Sequence, residues 1–400
     1  MQRKTNLRLS QGKVLLLVLD GVGIGELPDA GAYGDQGSHT LSNTAKAVGG
    51  LRLPHLEQWG LGNIAPIPGV PPVAHPLAHY GKMAEKSGGK DSTTGHWEIT
   101  GVIVEREFPT FPHGFPETVM QAFLRVSGCE GYLCNATASG TAIIEELGAE
   151  HMRTGYPIVY TSADSVFQIA AHEEVITLDR LYAMCERTRN EVCVGPAAVG
   201  RVIARPFVGS PGAFRRTTNR KDFSLIPPSP TLLDLLKEAN IDTRGVGKVD
   251  ELFAHRGFAS STHTRTNADG VKELIRQSRA MDRGFVIANL GDFDTLHGHR
   301  NDPGGFARAL ETFDAVLPAI EETVCPGDMF IVTADHGNDP VTPSTDHSRE
   351  YVPLLCYTGP GRSGGSLGTR ASFADIACTV AEYFEISSSF PGTSFLSNVA

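Results

Sequence analysis

Three histidine-containing motifs lie close together in the last third of the chain: DTLHGH at 294–299, DHGND at 335–339 and DHS at 346–348. A single histidine of this kind is more often structural, but these motifs occur together with Asp20, which ends an apolar run. Mixed carboxylate and imidazole ligands suit Mn²⁺ or Zn²⁺ better than Mg²⁺ or Ca²⁺. The motifs therefore predict two divalent metal sites, with His297 and His299 as alternative ligands in the first motif.

A cluster of hydroxyl residues between glycines and a predicted helix is the second chemical signal. It reads GGKDSTTGHWE at 88–98. A helix N-terminus offers free backbone N–H groups to a phosphate, and a metal beside a hydroxyl lowers its pKa. The segment predicts a nucleophilic hydroxyl, with a capped helix start as the structural alternative. The GVGIG run at 21–25 matches neither phosphate-binding glycine motif and predicts a turn that passes close to the site.

The elements that would position these residues are short apolar runs that each stop at an acidic residue. They are Val14–Leu19 before Asp20, Ile158–Ala163 before Asp164, Phe285–Leu290 before Asp292 and Asp294, and Met329–Ala334 before Asp335. Such runs indicate strands buried on both faces, and helical patterns such as Leu232–Ala239 and Val271–Met281 alternate with them. The pattern predicts a doubly wound α/β core with its site beyond the strands' carboxyl ends. Pro318 is expected to kink or end a helix with apolar positions from 306 to 320.

The domain organisation follows from a change in composition. From about Glu105 the sequence becomes rich in arginine, glycine and proline, and the segment PPSP at 227–230 is typical of a stiff linker. We therefore predict a catalytic core made of residues 1–105 and 226–400, with an inserted domain at 106–225.

Charge and cysteine content restrict the possible partners. A formal net charge of -10 argues against nucleic-acid or anionic-membrane binding. Seven cysteines without a CxxC pair indicate reduced thiols, and no apolar run is long enough to span a membrane. The sequence predicts a soluble cytoplasmic protein whose partners are small molecules, with no nucleic-acid or membrane partner.

Several long motifs carry a resemblance to a known family: LDGVGIGELPDAGAYGD, GKDSTTGHWEITG, YTSADSVFQIAAHEE, GRVIARPFVG, GDFDTLHGHRNDP, TADHGNDP and TDHSREYVPLL. From about Leu16 to Leu355 the chain closely resembles the phosphopentomutase family. This resemblance implies an alkaline-phosphatase-like, doubly wound α/β core sheet with helices on both faces. It also implies a smaller inserted α+β cap that closes over the core and holds a sugar phosphate.

The resemblance also implies roles for individual core residues. One metal would take Asp20, Asp335 and His336, and the other would take Asp294, His299 and His347. The motif thus selects His299 over His297. The phosphoryl group would be carried by Ser92, where the family usually has threonine, with Thr93 as the second candidate.

Substrate-binding positions implied by the resemblance lie mainly in the cap. They are Ser162, Asp164, Arg201, Ile203 and Arg216, together with Lys248 of the core. The neighbouring basic residues Arg215, Arg220 and Lys221 are interpreted as a solvated face.

The activity implied is the interconversion of α-D-ribose 1-phosphate and D-ribose 5-phosphate, and of the 2-deoxyribose pair. It would run through a phosphoenzyme and a sugar bisphosphate, with two divalent ions, Mn²⁺, as cofactors and glucose 1,6-bisphosphate as activator. One alternative is a metal-dependent phosphomonoesterase on the same core, which would need water to reach the phosphoenzyme. The other is a non-catalytic binding protein, which the intact nucleophile and ligand set disfavour.

Overall fold

The chain divides into two compact units in the computed structural model, which describes residues 12–162 and 165–399. Met1–Glu107 and Pro227–Ala400 form the first unit, called the core unit below, and Phe108–Ile226 form the second, called the cap unit. The catalytic role of the core unit and the substrate-binding role of the cap unit remain predictions from the sequence.

The strands in the described residues are β1 Lys13–Leu19, β2 His79–Met83, β3 Leu133–Thr137, β4 Ile158–Thr161, β5 Val166–His172, β6 Arg201–Val208, β7 Arg215–Arg216, β8 Lys221–Ser224, β9 Thr243–Val246, β10 Ser260–Thr262, β11 Gly284–Leu290, β12 Met329–Thr333, β13 Val352–Tyr357 and β14 Ser366–Arg370. The helices are α1 Ala30–Tyr33, α2 Thr40–Val48, α3 Pro54–Gln58, α4 Ser92–Ile99, α5 Glu117–Ser127, α6 Gly140–Thr154, α7 Leu178–Arg187, α8 Leu232–Glu238, α9 Asn267–Arg279, α10 Pro303–Glu321, α11 Ala374–Tyr383 and α12 Leu396–Val399. Elements β3–β8 and α5–α7 belong to the cap unit.

The core sheet has the strand order β10-β9-β11-β1-β12-β13-β2-β14 within the described residues. The strands from β10 to β12 are parallel, whereas β13 is antiparallel to both of its neighbours. All residues of β1, β12 and β13 are buried, so both faces of the sheet are covered there. The predicted α/β class is confirmed. The direction of β13 was not predicted, because its buried apolar run looks like that of a parallel strand.

Helix α10 corrects one expectation. The sequence predicted that Pro318 kinks or ends the helix. The second alternative is wrong, because the helix continues through Pro318 to Glu321. Leu317 and Ile320 on either side of the proline are fully buried. Their burial holds the last turn in place, because tertiary packing contributes more to helix stability than local propensity.

The cap unit is built on a second sheet of mixed direction, with the order β3-β4-β5-β6-β7 and with β8 paired to β6. One hydrophobic cluster includes Met120 of α5 and Leu181 of α7, and the other includes Ile143 of α6 and Phe207 of β6. The predicted strand 158–163 is observed here as β4, while Ala163 and Asp164 lie outside the described residues. Among the described residues, no helix combines the length and the apolarity needed to cross a bilayer.

Candidate active site

The carboxyl ends of three adjacent strands bring three acidic residues together. Strand β1 lies between β11 and β12 and is parallel to both. Asp20 directly follows β1, Asp335 comes two residues after β12, and Asp294 lies in a π-helical turn after β11. All three side chains are buried. The sheet order therefore explains why acidic residues far apart in sequence share one site.

Asp20, Asp335 and His336 form the first group of possible metal ligands, with ligand atoms within 4.8 Å of one another. His336 Nε2 lies 3.4 Å from Asp20 Oδ1 and 3.4 Å from Asp335 Oδ2. The Asn289 amide donates to Asp20 Oδ2 at 2.7 Å, and Gly21 N–H donates to Asp335 Oδ1 at 3.2 Å. These bonds orient both carboxylates.

A second group contains Asp294, His347 and again His336, also within 4.8 Å. His299 lies beside this group, with its Nε2 3.1 Å from Asp294 Oδ2. His299 Nδ1 lies 2.6 Å from the carbonyl oxygen of Thr345, which leaves Nε2 to face the carboxylate. The alternative histidine, His297, instead contacts Asp302 at 3.2 Å.

The candidate nucleophile Ser92 is the first residue of α4. Its Oγ lies 3.1 Å from His336 Nε2, whereas Thr94 Oγ1 turns back to Asp91. Asp91 caps the helix and accepts hydrogen bonds from the backbone N–H groups of Thr93 and Thr94. The expectation that this helix start offers free N–H groups to a phosphate is therefore wrong for these two residues, because the Asp91 carboxylate already occupies them.

Two glycines permit α4 and the turn at 21–25 to pass close to the acidic residues of the site. A Cβ on Gly95 of α4 would lie 2.1 Å from the Asp335 carbonyl oxygen. Gly21 has a φ of +76°, and a Cβ there would meet Asn338 and Asp294 at 3.1 and 3.3 Å. The turn at 21–25 thus passes close to the acidic cluster, as the sequence predicted, and α4 packs directly on the segment that carries Asp335.

Burial and neighbouring histidines determine the protonation of the cluster. Burial raises the pKa of Asp294, but the hydrogen bond from His299 and the charges of His347 and His336 outweigh it and hold that pKa below its usual value. Burial likewise raises the pKa of Asp335, and His336 again contributes to a net lowering. Burial is also the largest cause of the lowered pKa of His347. Near neutral pH Asp294 and Asp335 are ionised and His347 is neutral, as metal ligation requires.

The donor set fits divalent cations. Asp335 Oδ2 and Asn338 Oδ1 are buried and make no hydrogen bond in the described chain. His96 Nδ1 approaches Asp335 Oδ2 at 3.1 Å, but it lies closer to the Ser92 carbonyl oxygen, at 2.8 Å. Unsatisfied buried oxygens among three carboxylates are costly unless a cation binds them.

Arg349 holds the loop before Ser92, and sequence reasoning missed this role. Its buried guanidinium donates to the Glu85 carboxylate at 2.9 Å and to the carbonyl oxygens of Ser87 and Gly89 at 2.7 and 2.6 Å. It also bonds to Asp29. Arg349 is only two residues from His347. The same short segment therefore carries a candidate metal ligand and the arginine that holds the loop before Ser92. An arginine directly after a histidine motif was the available signal.

Two buried glutamates were also missed. Glu98 of α4 accepts hydrogen bonds from Lys86 N–H and Ser87 N–H, which ties the helix to the preceding loop. Glu350 accepts hydrogen bonds from Gly25 N–H and from Thr40 N–H, and its burial raises its pKa to about 7. Neither residue ends an apolar run, so the pattern that identified Asp20 did not reveal them.

The described substrate-binding candidates of the cap unit lie on β6, on β7 and just after β4. Arg201 and Ile203 are on β6, with Arg201 Nη1 3.6 Å from Asp222 Oδ2, and Ile203 is buried. Arg216 of β7 is exposed and pairs with Phe207, and Ser162 is half-buried after β4. Asp164 lies outside the described residues. Lys248 is exposed in the core unit, directly before the turn Val249–Phe253.

Comparison with known proteins agrees with the chemistry of this site. The profile of the metalloenzyme superfamily matches residues 12–388. The chain therefore belongs to the metalloenzyme superfamily, and binding of divalent metal follows from that membership together with the ligand groups above.

Relatives define the branch of the superfamily. The chain is 57% identical to a phosphopentomutase of Dictyoglomus thermophilum, over 97% of this chain and 98% of the relative. It is 56% identical to a phosphopentomutase of Anaeromyxobacter dehalogenans, over the same shares of both chains. A solved Leishmania mexicana phosphoglycerate mutase is similar at 12% identity with a TM-score of 0.48, covering 97% of this chain and 98% of that one. The chain belongs to the phosphopentomutase family, and it is an enzyme of the isomerase class.

Removal of one ligand candidate from each group tests the metal centre. We expect Asp335→Ala and His347→Ala to remain folded but to lose bound metal, because each variant lacks one candidate ligand. Activity is expected to fall by about 100-fold or more. Metal content is measured by plasma emission spectrometry beside circular dichroism. His297→Ala is the matched control and should retain its metal, because His297 contacts Asp302 instead. Full metal content in either ligand variant would exclude that residue from the site.

Arg349→Lys tests whether the hydrogen bonds of Arg349 to the loop before Ser92 position the nucleophile. Lysine keeps the charge but cannot donate to the Glu85 carboxylate and two carbonyl oxygens in one plane, so we expect a loss of about 2 kcal/mol or more in transition-state stabilisation. The measurement is kcat together with metal content, and the metal should stay bound. Arg276→Lys, which makes the same exchange in an exposed ion pair, should change neither quantity. Equal kcat in the two variants would contradict a positioning role for Arg349.

Proposed function

We propose that the chain is a phosphopentomutase that interconverts α-D-ribose 1-phosphate and D-ribose 5-phosphate, and also the 2-deoxyribose pair. The relatives that share 97% of the chain at more than 50% identity bear this name. The single structural observation that carries the proposal is the position of Ser92 Oγ, at the start of a helix and 3.1 Å from a candidate metal ligand, His336.

We assign two metal ions to the core unit, and Mn²⁺ suits their ligands. Asp20, Asp335 and His336 would hold one ion, and Asp294, His299 and His347 would hold the other. When bound, such ions lower the pKa of a nearby hydroxyl and stabilise charge on phosphoryl oxygens. The mixed oxygen and nitrogen donors of both groups support this choice of metal.

In the proposed reaction Ser92 carries the phosphoryl group. A free hydroxyl of the bound sugar monophosphate attacks the phosphorus, the bond to Ser92 Oγ breaks, and the proton lost by the sugar hydroxyl balances the proton that Ser92 takes up. The resulting bisphosphate then returns its other phosphoryl group to Ser92. No phosphate is consumed, and a sugar bisphosphate such as glucose 1,6-bisphosphate is needed only to phosphorylate the enzyme initially.

The cap unit would bind the sugar phosphate. Arg201 and Arg216 present guanidinium groups that suit a phosphate monoester, and Ile203 presents an apolar side chain. We assign Ser162 and Asp164 to the sugar hydroxyls, and Lys248 of the core unit is kept as a substrate-binding candidate on the family resemblance alone. The free state of all seven cysteines supports the proposed cytoplasmic location.

The experiment that tests this function follows both possible products in one reaction. Protein loaded with Mn²⁺ and primed with glucose 1,6-bisphosphate is incubated with ribose 1-phosphate, and ribose 5-phosphate and inorganic phosphate are measured together. A mutase forms ribose 5-phosphate with little free phosphate. Stoichiometric phosphate release without isomerisation would identify a phosphomonoesterase instead, and the absence of both products would indicate a binding protein.

Ser92→Ala tests the nucleophile. We expect this variant to form no phosphoenzyme, because alanine has no hydroxyl to accept the phosphoryl group. Intact-protein mass spectrometry after incubation with glucose 1,6-bisphosphate measures one added phosphoryl group. Thr93→Ala is the control and should still gain that mass. A phosphoryl group mapped to Thr93 in the unmodified protein would contradict the assignment.

A further inference from the structure

His96 is a fully buried histidine of helix α4 that contacts both the candidate nucleophile and a candidate metal ligand. It lies four residues after Ser92, and its Nδ1 is 2.8 Å from the Ser92 carbonyl oxygen. The same nitrogen lies 3.1 Å from Oδ2 of Asp335, whose side chain is also fully buried. One ring nitrogen is thus placed between the backbone of Ser92 and the carboxylate of Asp335.

The contact with Ser92 determines that Nδ1 of the His96 ring carries a proton. A carbonyl oxygen can only accept a hydrogen bond, so Nδ1 must be the donor. The Nδ1–H donates to the Ser92 oxygen, and its partial positive charge lies against Asp335 Oδ2 as well. An N–H can be shared between two acceptors in this way, and a negative charge on one of them strengthens the attraction. His96 therefore attracts the Ser92 carbonyl and the carboxylate at the same time.

The other ring nitrogen distinguishes His96 from a residue that only fills the core. His96 Nε2 is buried and has no hydrogen-bond partner in the described chain. A buried polar atom without a partner is unfavourable. An apolar side chain of similar size would fill the same space without that cost. The favourable contribution of the imidazole must therefore come from Nδ1.

The Asp335 carboxylate is held from two sides. Gly21 N–H donates to Oδ1 at 3.2 Å, and His96 Nδ1 lies beside Oδ2. Oδ2 also faces His336 Nε2 at 3.4 Å in the first group of candidate metal ligands. Helix α4 comes this close because Gly95 has no side chain, and a Cβ there would overlap the Asp335 carbonyl oxygen. The position of the His96 ring thus sets the orientation of the carboxylate oxygen nearest to His336.

We propose that His96 is a positioning residue that couples the nucleophile to the metal site of Asp20, Asp335 and His336. Its Nδ1–H fixes the Ser92 carbonyl, and hence the direction of Ser92 Oγ, relative to the Asp335 carboxylate. Ser92 Oγ itself lies 3.1 Å from His336 Nε2, so the start of α4 meets the segment 335–336 through two separate contacts. Small errors in such an alignment slow a reaction strongly. The inference rests on the proposed function only for the role of Ser92 as the nucleophile.

Two substitutions at His96 separate a role of Nδ1 from simple filling of the core. Asparagine places its amide N–H near the position of Nδ1, whereas glutamine places its amide near Nε2. We expect His96→Gln to weaken one Mn²⁺ site and to slow phosphoenzyme formation at saturating Mn²⁺, each by about tenfold or more, because contacts that orient metal ligands have effects of this size. His96→Asn should recover most of both losses, since it keeps a donor at Nδ1.

Equilibrium dialysis of the full-length protein measures Mn²⁺ binding, and intact-protein mass spectrometry follows phosphoryl transfer from glucose 1,6-bisphosphate. Thr100→Val is the control. Thr100 Oγ1 donates to the His96 carbonyl oxygen at 3.0 Å, so this variant loses a buried hydrogen bond at the end of the same helix but keeps both contacts of Nδ1. It should leave Mn²⁺ binding and phosphoenzyme formation unchanged, even if its thermal midpoint falls.

Equal values in the unmodified protein and in His96→Gln, or equal losses in His96→Gln and His96→Asn, would overturn the proposal. A change in only one of the two measured quantities would overturn it too, because the nucleophile and the metal site would then not be coupled. If the unmodified protein forms no phosphoenzyme, the proposed role of Ser92 fails. The Mn²⁺ comparison then still tests the contact of His96 with Asp335, and equal Mn²⁺ affinities in the unmodified protein and both His96 variants would refute it.

Discussion

The crowding of three buried carboxylates at the ends of β1, β11 and β12 is the constraint on which the core unit depends. Asp20, Asp294 and Asp335 cannot spread apart, because each follows a strand that is fixed by the sheet. Like charges at such distances repel strongly in a poorly solvated site. Histidines hold the pKa values of Asp294 and Asp335 down, and the side-chain amides of Asn289 and Asn338 donate hydrogen bonds to the carboxylates of Asp20 and Asp294. A metal centre is the arrangement that satisfies all of these groups together.

The fixed positions of these acidic residues also explain why buried polar side chains hold the neighbouring loops. Ligands at fixed positions are useful only if the nucleophile is fixed relative to them. Arg349 and Glu98 bind the loop that leads to Ser92. Glu350 binds the turn after β1 and the first residue of α2. These side chains are buried and ionisable, and burying such groups is costly in isolation. Here each one accepts or donates several hydrogen bonds, so the cost is offset and the loops gain a single conformation.

Sequence reasoning recovered those parts of the molecule that are encoded locally. Apolar runs predicted β1, β11 and β12, because a strand buried on both faces has few polar residues. Strand direction is set by neighbours distant in sequence, so β13 was missed, and tertiary burial of Leu317 and Ile320 outweighed the local effect of Pro318. Residue types alone did not separate His297 from His299, and only the family resemblance selected His299. In the structure His299 lies beside Asp294, whereas His297 contacts Asp302. Arg349 escaped notice because its partners lie some 260 residues earlier in the chain.

The central place of β1 in the core sheet has a consequence for how the protein is made. Among the described strands β1 is synthesised first, yet the strands on either side of it are residues 284–290 and 329–333. The cap unit ends at residue 226, so its sequence is complete before either flanking strand of β1 has been synthesised. The cap unit can then fold while β1 still lacks its neighbouring strands. Non-local pairing of this kind slows folding and leaves an aggregation-prone segment exposed. Until residue 333 has been synthesised, β1 therefore cannot pair with both of the strands that flank it in the folded sheet.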